Sequence, residues 1–159
     1  MMHPSAQKVA QAAQEMELNI EIVEFAETTR TAPDAANAIG CHVAQIVKSL
    51  LFFVDSQPVL ALVSGANRLS EAKLAALRGT TPHNVKRADA ETAKTITGFA
   101  IGGIPPFGHI STFPVYIDAD LMGFNVVWAA AGTPHSVFAI TPHDLIRATQ
   151  GIIADLKME

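Results

Sequence analysis

The stretch Ser49-Leu50-Leu51-Phe52-Phe53-Val54-Asp55-Ser56-Gln57-Pro58-Val59-Leu60-Ala61-Leu62-Val63 carries most of the fold information in this chain. Residues 49–54 and 58–63 are apolar runs too short for stable helices, and they flank the turn-forming triplet Asp55-Ser56-Gln57. Asp and Ser reverse a chain through local side-chain hydrogen bonds, so the spacing predicts two strands joined as a hairpin. Both runs fall far short of the ~20 apolar residues that cross a bilayer, so no membrane span is expected.

Working outward toward the N-terminus, Thr31, Pro33 and Asp34 open a helix that Gly40 stops, and residues 42–48 hold a short turn leading into the hairpin. Residues 19–25 alternate apolar and acidic side chains, the pattern of a half-buried strand with Ile20, Ile22 and Val23 inward. Ser5 is expected to cap a first helix reaching about Glu17, with Val9, Ala12, Ala13 and Met16 on its apolar face. Toward the C-terminus, helices are expected over 70–77 and 89–95, and strands over 99–101, 115–117, 126–129 and 136–140. A last helix is expected over 144–149, opened by Thr141-Pro142-His143-Asp144. Helices dominate the first half and strands the second, without regular βαβ alternation. The reading is therefore an α+β domain with a mixed, strongly curved or barrel-like sheet rather than a doubly wound parallel one.

Composition bounds the rest. A chain of 159 residues, 49% of them hydrophobic, can bury a core as a single domain over 1–159 without staples. Cys41 is the only cysteine and no signal-type apolar segment opens the chain, so a cytoplasmic location is expected. The net charge of −4 disfavours a broad basic face for nucleic acid, yet the charge is uneven. Arg68, Lys73, Arg78, Lys86, Arg87 and Lys94 outnumber Glu71, Asp89 and Glu91, a local excess suited to phosphates or to an ordinary solvated helix face.

The least regular segment is Gly102-Gly103-Ile104-Pro105-Pro106-Phe107-Gly108-His109. Paired glycines let a ligand approach the main chain, and paired prolines stiffen the backbone after them, so the loop could present the Gly102 and Gly103 N–H groups. The same composition also suits a strand-to-strand turn. Cys41 and His42 are adjacent and would point apart, which does not make a nucleophile and base; a buried structural cysteine is expected. His83, His135 and His143 lack close metal-ligand spacing, so no metal and no cofactor are expected.

Four segments in order, TAPDAANAIGCHVAQIVKSL from Thr31, LVSGANRLSEAKLAAL from Leu62, TGFAIGGIPPFGH from Thr97 and WAAAGTPHSVFAITPHDL from Trp128, resemble the YbaK/prolyl-tRNA-synthetase-associated domain family. The combination is what is specific: the Gln45-Ile46-Val47-Lys48-Ser49-Leu50 run, the Ser64-Gly65 pair and the Gly102-x-x-x-Pro106 loop. The resemblance implies a largely antiparallel mixed barrel flanked by helices, and hydrolysis of amino acids wrongly attached to tRNA by a free-standing domain acting in trans. It places Lys48 and Ser64-Gly65 at the substrate site, and Ala130, Gly132 and Thr133 where the amino-acid pocket varies. At Ala130 a small apolar residue replaces polar ones found in relatives. It also implies that the vicinal hydroxyl of the terminal ribose helps to activate water, with the Gly-x-x-x-Pro loop holding sugar and ester.

An aminoacyl ester is already activated, so such a site need supply only positioning, water and stabilisation of a developing oxyanion. Gly102 and Gly103 N–H groups suit the oxyanion, Pro106 stiffens their loop, and Lys48 suits substrate positioning and electrostatic stabilisation without a covalent step. His109 is the titratable group on the loop, available as acid or base near neutral pH or simply as a capping or surface histidine. The expected substrate is a mischarged tRNA carrying a small amino acid, recognised at its acceptor end, with an aminoacyl-tRNA synthetase as a further candidate partner and no DNA. A non-catalytic module for a tRNA acceptor end or a synthetase, and a small-ester hydrolase independent of RNA, remain open readings.

Overall fold

The computed structural model describes residues 2–25 and 31–159. Among them the elements run α1 Pro4–Glu15, β1 Ile22–Glu24, α2 Ala32–Ile39, β2 Ile46–Val54, β3 Gln57–Ser64, α3 Glu71–Leu77, β4 Val85–Arg87, α4 Ala90–Thr97, β5 Val115–Asp118, β6 Val127–Ala130, β7 Ser136–Ile140, α5 Pro142–Thr149 and β8 Ile152–Ala154. No helix among the described residues is long and apolar enough to cross a membrane.

The hairpin forms as its sequence implies, with Leu51 opposite Leu60 and Val54 opposite Gln57. Its turn is tighter than expected: Asp55 and Ser56 alone make it, with φ of 50° and 67°. Two consecutive left-handed residues match the right-handed twist of the flanking strands. β2 begins at Ile46, so Lys48 and Ser49 lie inside the strand rather than at its mouth.

The strand order is β1-β7-β6-β2-β3-β5-β8, with β4 beside β2. β1–β7, β2–β3, β2–β4 and β6–β7 pair antiparallel, whereas β2–β6, β3–β5 and β5–β8 pair parallel. The sheet is mixed, as expected, but it is open: its strand path ends at β1 and β8 and does not close into a barrel. β4 and β8 went unanticipated because Val85-Lys86-Arg87 and Ile152-Ile153-Ala154 are three-residue strands, too short for alternation to register. The strand expected over 99–101 does not form; Phe99 is buried and the chain turns at Ile101-Gly102.

Alternation along the hairpin sorts the core into two layers. Val47, Leu51, Leu60 and Leu62 face one side with Ile117, Ala129 and Phe138, covered by Val9 and Ala13 of α1, Ala93 of α4 and Leu145 of α5. Phe52, Val54, Val59, Ala61 and Val63 face the other with Tyr116, covered by Leu74 and Ala75 of α3 and by Leu156. Leu60 and Leu62 are fully buried, so truncating either to Ala should cost about 2–5 kcal/mol. Ala35 and Ala36 of α2 pack on Ile46 in a smaller cluster that includes Trp128.

Helix ends follow the sequence with one correction. Thr31, Ser70, Asp89 and Thr141 each accept the N–H three residues on, satisfying donors that a helix start leaves orphaned. α1 is capped by His3, whose Nδ1 accepts from Ser5 N at 3.0 Å, and not by Ser5 itself. Pro4 fills the first helical position, where its missing N–H costs nothing, and this moves the cap one residue ahead of it.

Candidate active site

One edge of β2 is shared by two strands that diverge. β6 pairs with Ile46 and Val47, β4 pairs with residues 52–54, and Ala88 N–H takes Leu51 O, which leaves Lys48–Leu50 without a strand partner on that side. A cavity of about 440 Å³ opens at this split, within the size range of small-molecule sites. Its walls include Thr31, Ala32, Pro33 and Ala35 at the start of α2, Trp128, Ala129 and Ala130 of β6, the Ile101-Gly102 turn with Ile104, and Thr133, Pro134, Ser136 and Val137. Among the described residues no Asp or Glu lines it, while Lys48 and Arg87 do.

Lys48 projects on the α3 side of the sheet and donates from Nζ to the Asn67 backbone carbonyl. An ammonium carries three donors, so two remain for a ligand. Burial lowers its pKa from the ordinary 10.5, Arg87 and Arg68 lower it further, and Asp118 works against them. Arg87 also lies over the Phe52 ring, 5.9 Å from its centroid.

The two glycines of the loop have separate duties. Gly102 lines the cavity with φ of 93°, a left-handed conformation that glycine adopts without strain. Its N–H meets no acceptor among the described residues, whereas that of Gly103 closes a turn onto Ala100 O at 2.9 Å. Gly103 does not face the cavity; a Cβ there would meet Thr133 Cα at 2.7 Å and Gly132 C at 2.8 Å. Of the two expected N–H groups, only that of Gly102 belongs to a residue lining the cavity, because Gly103 serves the close approach of two loops.

Other expected residues divide in the same way. Gly65, Ala130 and Thr133 line the cavity. Thr133 Oγ1 is buried and donates to Ser136 Oγ at 2.7 Å. Ser64 lies behind the cavity wall, its N–H on Asp118 Oδ2 at 3.0 Å and its Oγ on Ala44 O at 2.7 Å. Gly132 faces α1 and not the cavity, in near contact with Ser5 O. Pro106 is buried and does not line the cavity; it lies on the side of His109.

His109 also lies outside the cavity. It is half-buried, its Nε2 is 2.7 Å from Pro105 O, and its ring sits 4.9 Å from that of Phe113. The carbonyl partner fixes the proton on Nε2, so His109 braces the proline loop and is not placed with Lys48. Burial lowers its pKa below the ordinary 6.5, against the opposing pull of the Pro105 carbonyl. The folded state then takes up fewer protons than the unfolded one, so this contribution to stability is present above pH 6.5 and lost as pH falls from there through the lowered folded value. His109→Gln should flatten the fall of melting temperature on acidification; an unchanged slope would remove this role.

Arg87 and Trp128 were missed as site residues, because β4 was not anticipated and a lone tryptophan in an apolar strand reads as core. Cys41 is half-buried beside α2 rather than fully enclosed, and burial pushes its thiol pKa up. Ser49 Oγ is buried and has no hydrogen-bond partner among the described residues. Removing an unpaired buried hydroxyl costs little or helps, so Ser49→Ala should leave the melting temperature unchanged or raise it in thermal denaturation.

Fold and cavity together define an α+β domain with a cavity at the split edge of a mixed sheet. The sequence profile of the aminoacyl-tRNA editing domain matches residues 26–148, and the chain belongs to that family. It is 30% identical over 125 residues to "Uncharacterized protein YwhH" of Bacillus subtilis, covering 79% of this chain and 78% of that protein. It is 32% identical over 150 residues to a proline–tRNA ligase of Elusimicrobium minutum, covering 92% of this chain but 26% of the ligase. The chain thus spans about a quarter of that ligase. A solved structure described as a "putative trans-editing enzyme for prolyl tRNA synthetase" superposes with a TM-score of 0.94 at 43% identity over 100% of both chains.

Proposed function

We propose that residues 1–159 act as one editing domain that hydrolyses, in trans, the ester of a tRNA wrongly charged with a small amino acid. The observation that supports this reading is that Lys48 and Gly102 line one cavity with no acidic side chain among its described lining residues. Such a cavity favours negative charge. An ester carbonyl becoming an oxyanion is the charge the proposed reaction develops.

In this mechanism the carbonyl oxygen of the ester sits between Lys48 Nζ and Gly102 N–H. Water adds to the carbonyl carbon, and its proton passes through the vicinal ribose hydroxyl, which does the work of a carboxylate or imidazole base that the described lining residues do not include. The tetrahedral oxyanion is held by the two donors. It then collapses, the carbon–oxygen bond to the ribose breaks, and the ribose oxygen takes the proton. Lys48 acts as a fixed positive charge and forms no covalent bond. Ala129 and Ala130 on the wall admit a small side chain, and such pockets discriminate one methylene by only ~1–3 kcal/mol.

Arg87 and Arg68 stand near Lys48 and make the mouth positive, which suits the phosphates of an acceptor end. Arg87→Ala should weaken tRNA binding and lessen its salt dependence by about one unit of slope; a wild-type slope would exclude a phosphate contact. The reading as a whole is tested with tRNAs charged with Ala, Ser, Thr, Cys and Pro, alongside the same amino acids esterified to adenosine alone. Turnover of a charged tRNA well above the spontaneous rate supports it. Equal action on the adenosine esters points to an RNA-independent esterase, and binding without turnover points to a recognition module.

A further inference from the structure

Asp118, at the end of β5, is 1% exposed and does not line the cavity. Its Oδ2 accepts from Ser64 N at 3.0 Å and from Asn67 Nδ2 at 2.9 Å. Its Oδ1 accepts from Asp120 N at 3.0 Å. Asn67 N–H in turn closes onto Ser64 O at 2.9 Å, so one carboxylate holds both ends of the turn that leaves β3. The Asn67 carbonyl of that same turn is the group to which Lys48 Nζ donates. A second tie fixes Asn67 from outside: its Nδ2 also reaches Asp120 Oδ2 at 2.8 Å, and Asp120 pairs with Lys157 at 3.1 Å.

We propose that Asp118 is a positioning residue for Lys48, acting through the Ser64–Asn67 turn. A carboxylate taken out of water is costly unless its lone pairs are occupied, and here three N–H groups occupy them with no direct ion pair among the described residues. What the arrangement secures is the direction of one carbonyl, and so the place of the ammonium bound to it. The charges around Lys48 are Arg87 from β4, Arg68 beyond β3 and Asp118 from β5, with the Asp120–Lys157 pair behind Asn67. Asp118 is the negative member of the near set. It therefore opposes the lowering of the Lys48 pKa by burial and two guanidinium groups. This inference rests on the reading of Lys48 as the oxyanion's cation, and the test separates the two.

The test compares wild type, Asp118→Asn and Asn67→Ala. Lys48 titration is followed directly by side-chain NMR of isotope-labelled lysine, with the resonance assigned by its loss in Lys48→Met, and deacylation is measured alongside. Asp118→Asn is expected to move the Lys48 midpoint to lower pH and to reduce kcat about 10- to 100-fold with little change in KM, the scale of a small misplacement at a reacting centre. Asn67→Ala keeps the Asp118 charge but cuts the tie, so it should lose rate without that downward shift. A Lys48 midpoint unchanged in Asp118→Asn would overturn the proposal, as would wild-type kcat in Asn67→Ala, a half-exposed site where the fold should survive even if Asp118→Asn does not fold. If the wild type hydrolyses no charged tRNA, the catalytic reading fails, and the NMR titration still decides whether Asp118 governs Lys48.

Discussion

Lys48→Met should lower deacylation by about 10²–10³-fold, the usual effect of removing one preorganised donor from an oxyanion. Methionine keeps an unbranched stem of similar length in the strand, so packing on the α3 side is retained while the charge goes. Lys48 is only half-buried, and its one hydrogen bond among the described residues is to the Asn67 carbonyl. Losing it should therefore leave the melting temperature within a few degrees of wild type. The loss should fall on kcat, since an interaction strengthened in the transition state lowers kcat and kcat/KM together. Tenfold weaker binding of tRNA with kcat intact would instead make Lys48 a docking residue. Retention of full turnover would remove it from the mechanism.

Gly132→Ala should produce the largest loss of stability, about 3–5 kcal/mol, well beyond an ordinary surface substitution. Gly132 has φ of 94° and a Cβ there would lie 2.5 Å from Ser5 O and 2.7 Å from Ser5 C. Those atoms belong to the first turn of α1, which cannot shift without unseating Val9 and Ala13 from the core. Gly103→Ala meets backbone on the opposite side of the same loop contact, at 2.7–2.8 Å from Thr133 and Gly132, and should be comparably harmful. Gly102→Ala is the contrast. It has φ of 93° but open space, the nearest atom being Pro134 Cγ at 3.7 Å, so it should cost only the backbone strain of about 1–2 kcal/mol. Urea denaturation of the three variants checks the order; a Gly102 variant as unstable as the other two would contradict the packing account.

The hairpin was legible because two apolar runs and a turn are a local pattern, and so were the helix starts at Thr31, Ser70, Asp89 and Thr141, each marked by a capping residue. β4 and β8 were not, since a three-residue strand is defined by its neighbours in the sheet and not by its own sequence. The same limit explains the site. Lys48 and Gly102 belong to a motif that survives in linear order, so they could be named. Arg87 enters the cavity only because β4 pairs with β2, and Asp118 matters only because β5 runs beside β3. Gly103 and His109 sit in the right loop but face away from the cavity, a distinction set by the contact of the Gly103 loop with Gly132-Thr133 and by the bond from His109 to Pro105 O. The 26–30 segment, which opens the family match, lies outside the described residues.

The most direct measurement of the central claim is single-turnover hydrolysis of the tRNA panel charged with Ala, Ser, Thr, Cys and Pro, by wild type and Lys48→Met at matched saturating enzyme. The account predicts rapid loss of at least one small-amino-acid ester with wild type and loss near the spontaneous rate with the variant. Hydrolysis at the spontaneous rate by both proteins, with tRNA binding intact in the quenching of Trp128 fluorescence, would contradict it and leave the cleft as a site of recognition alone.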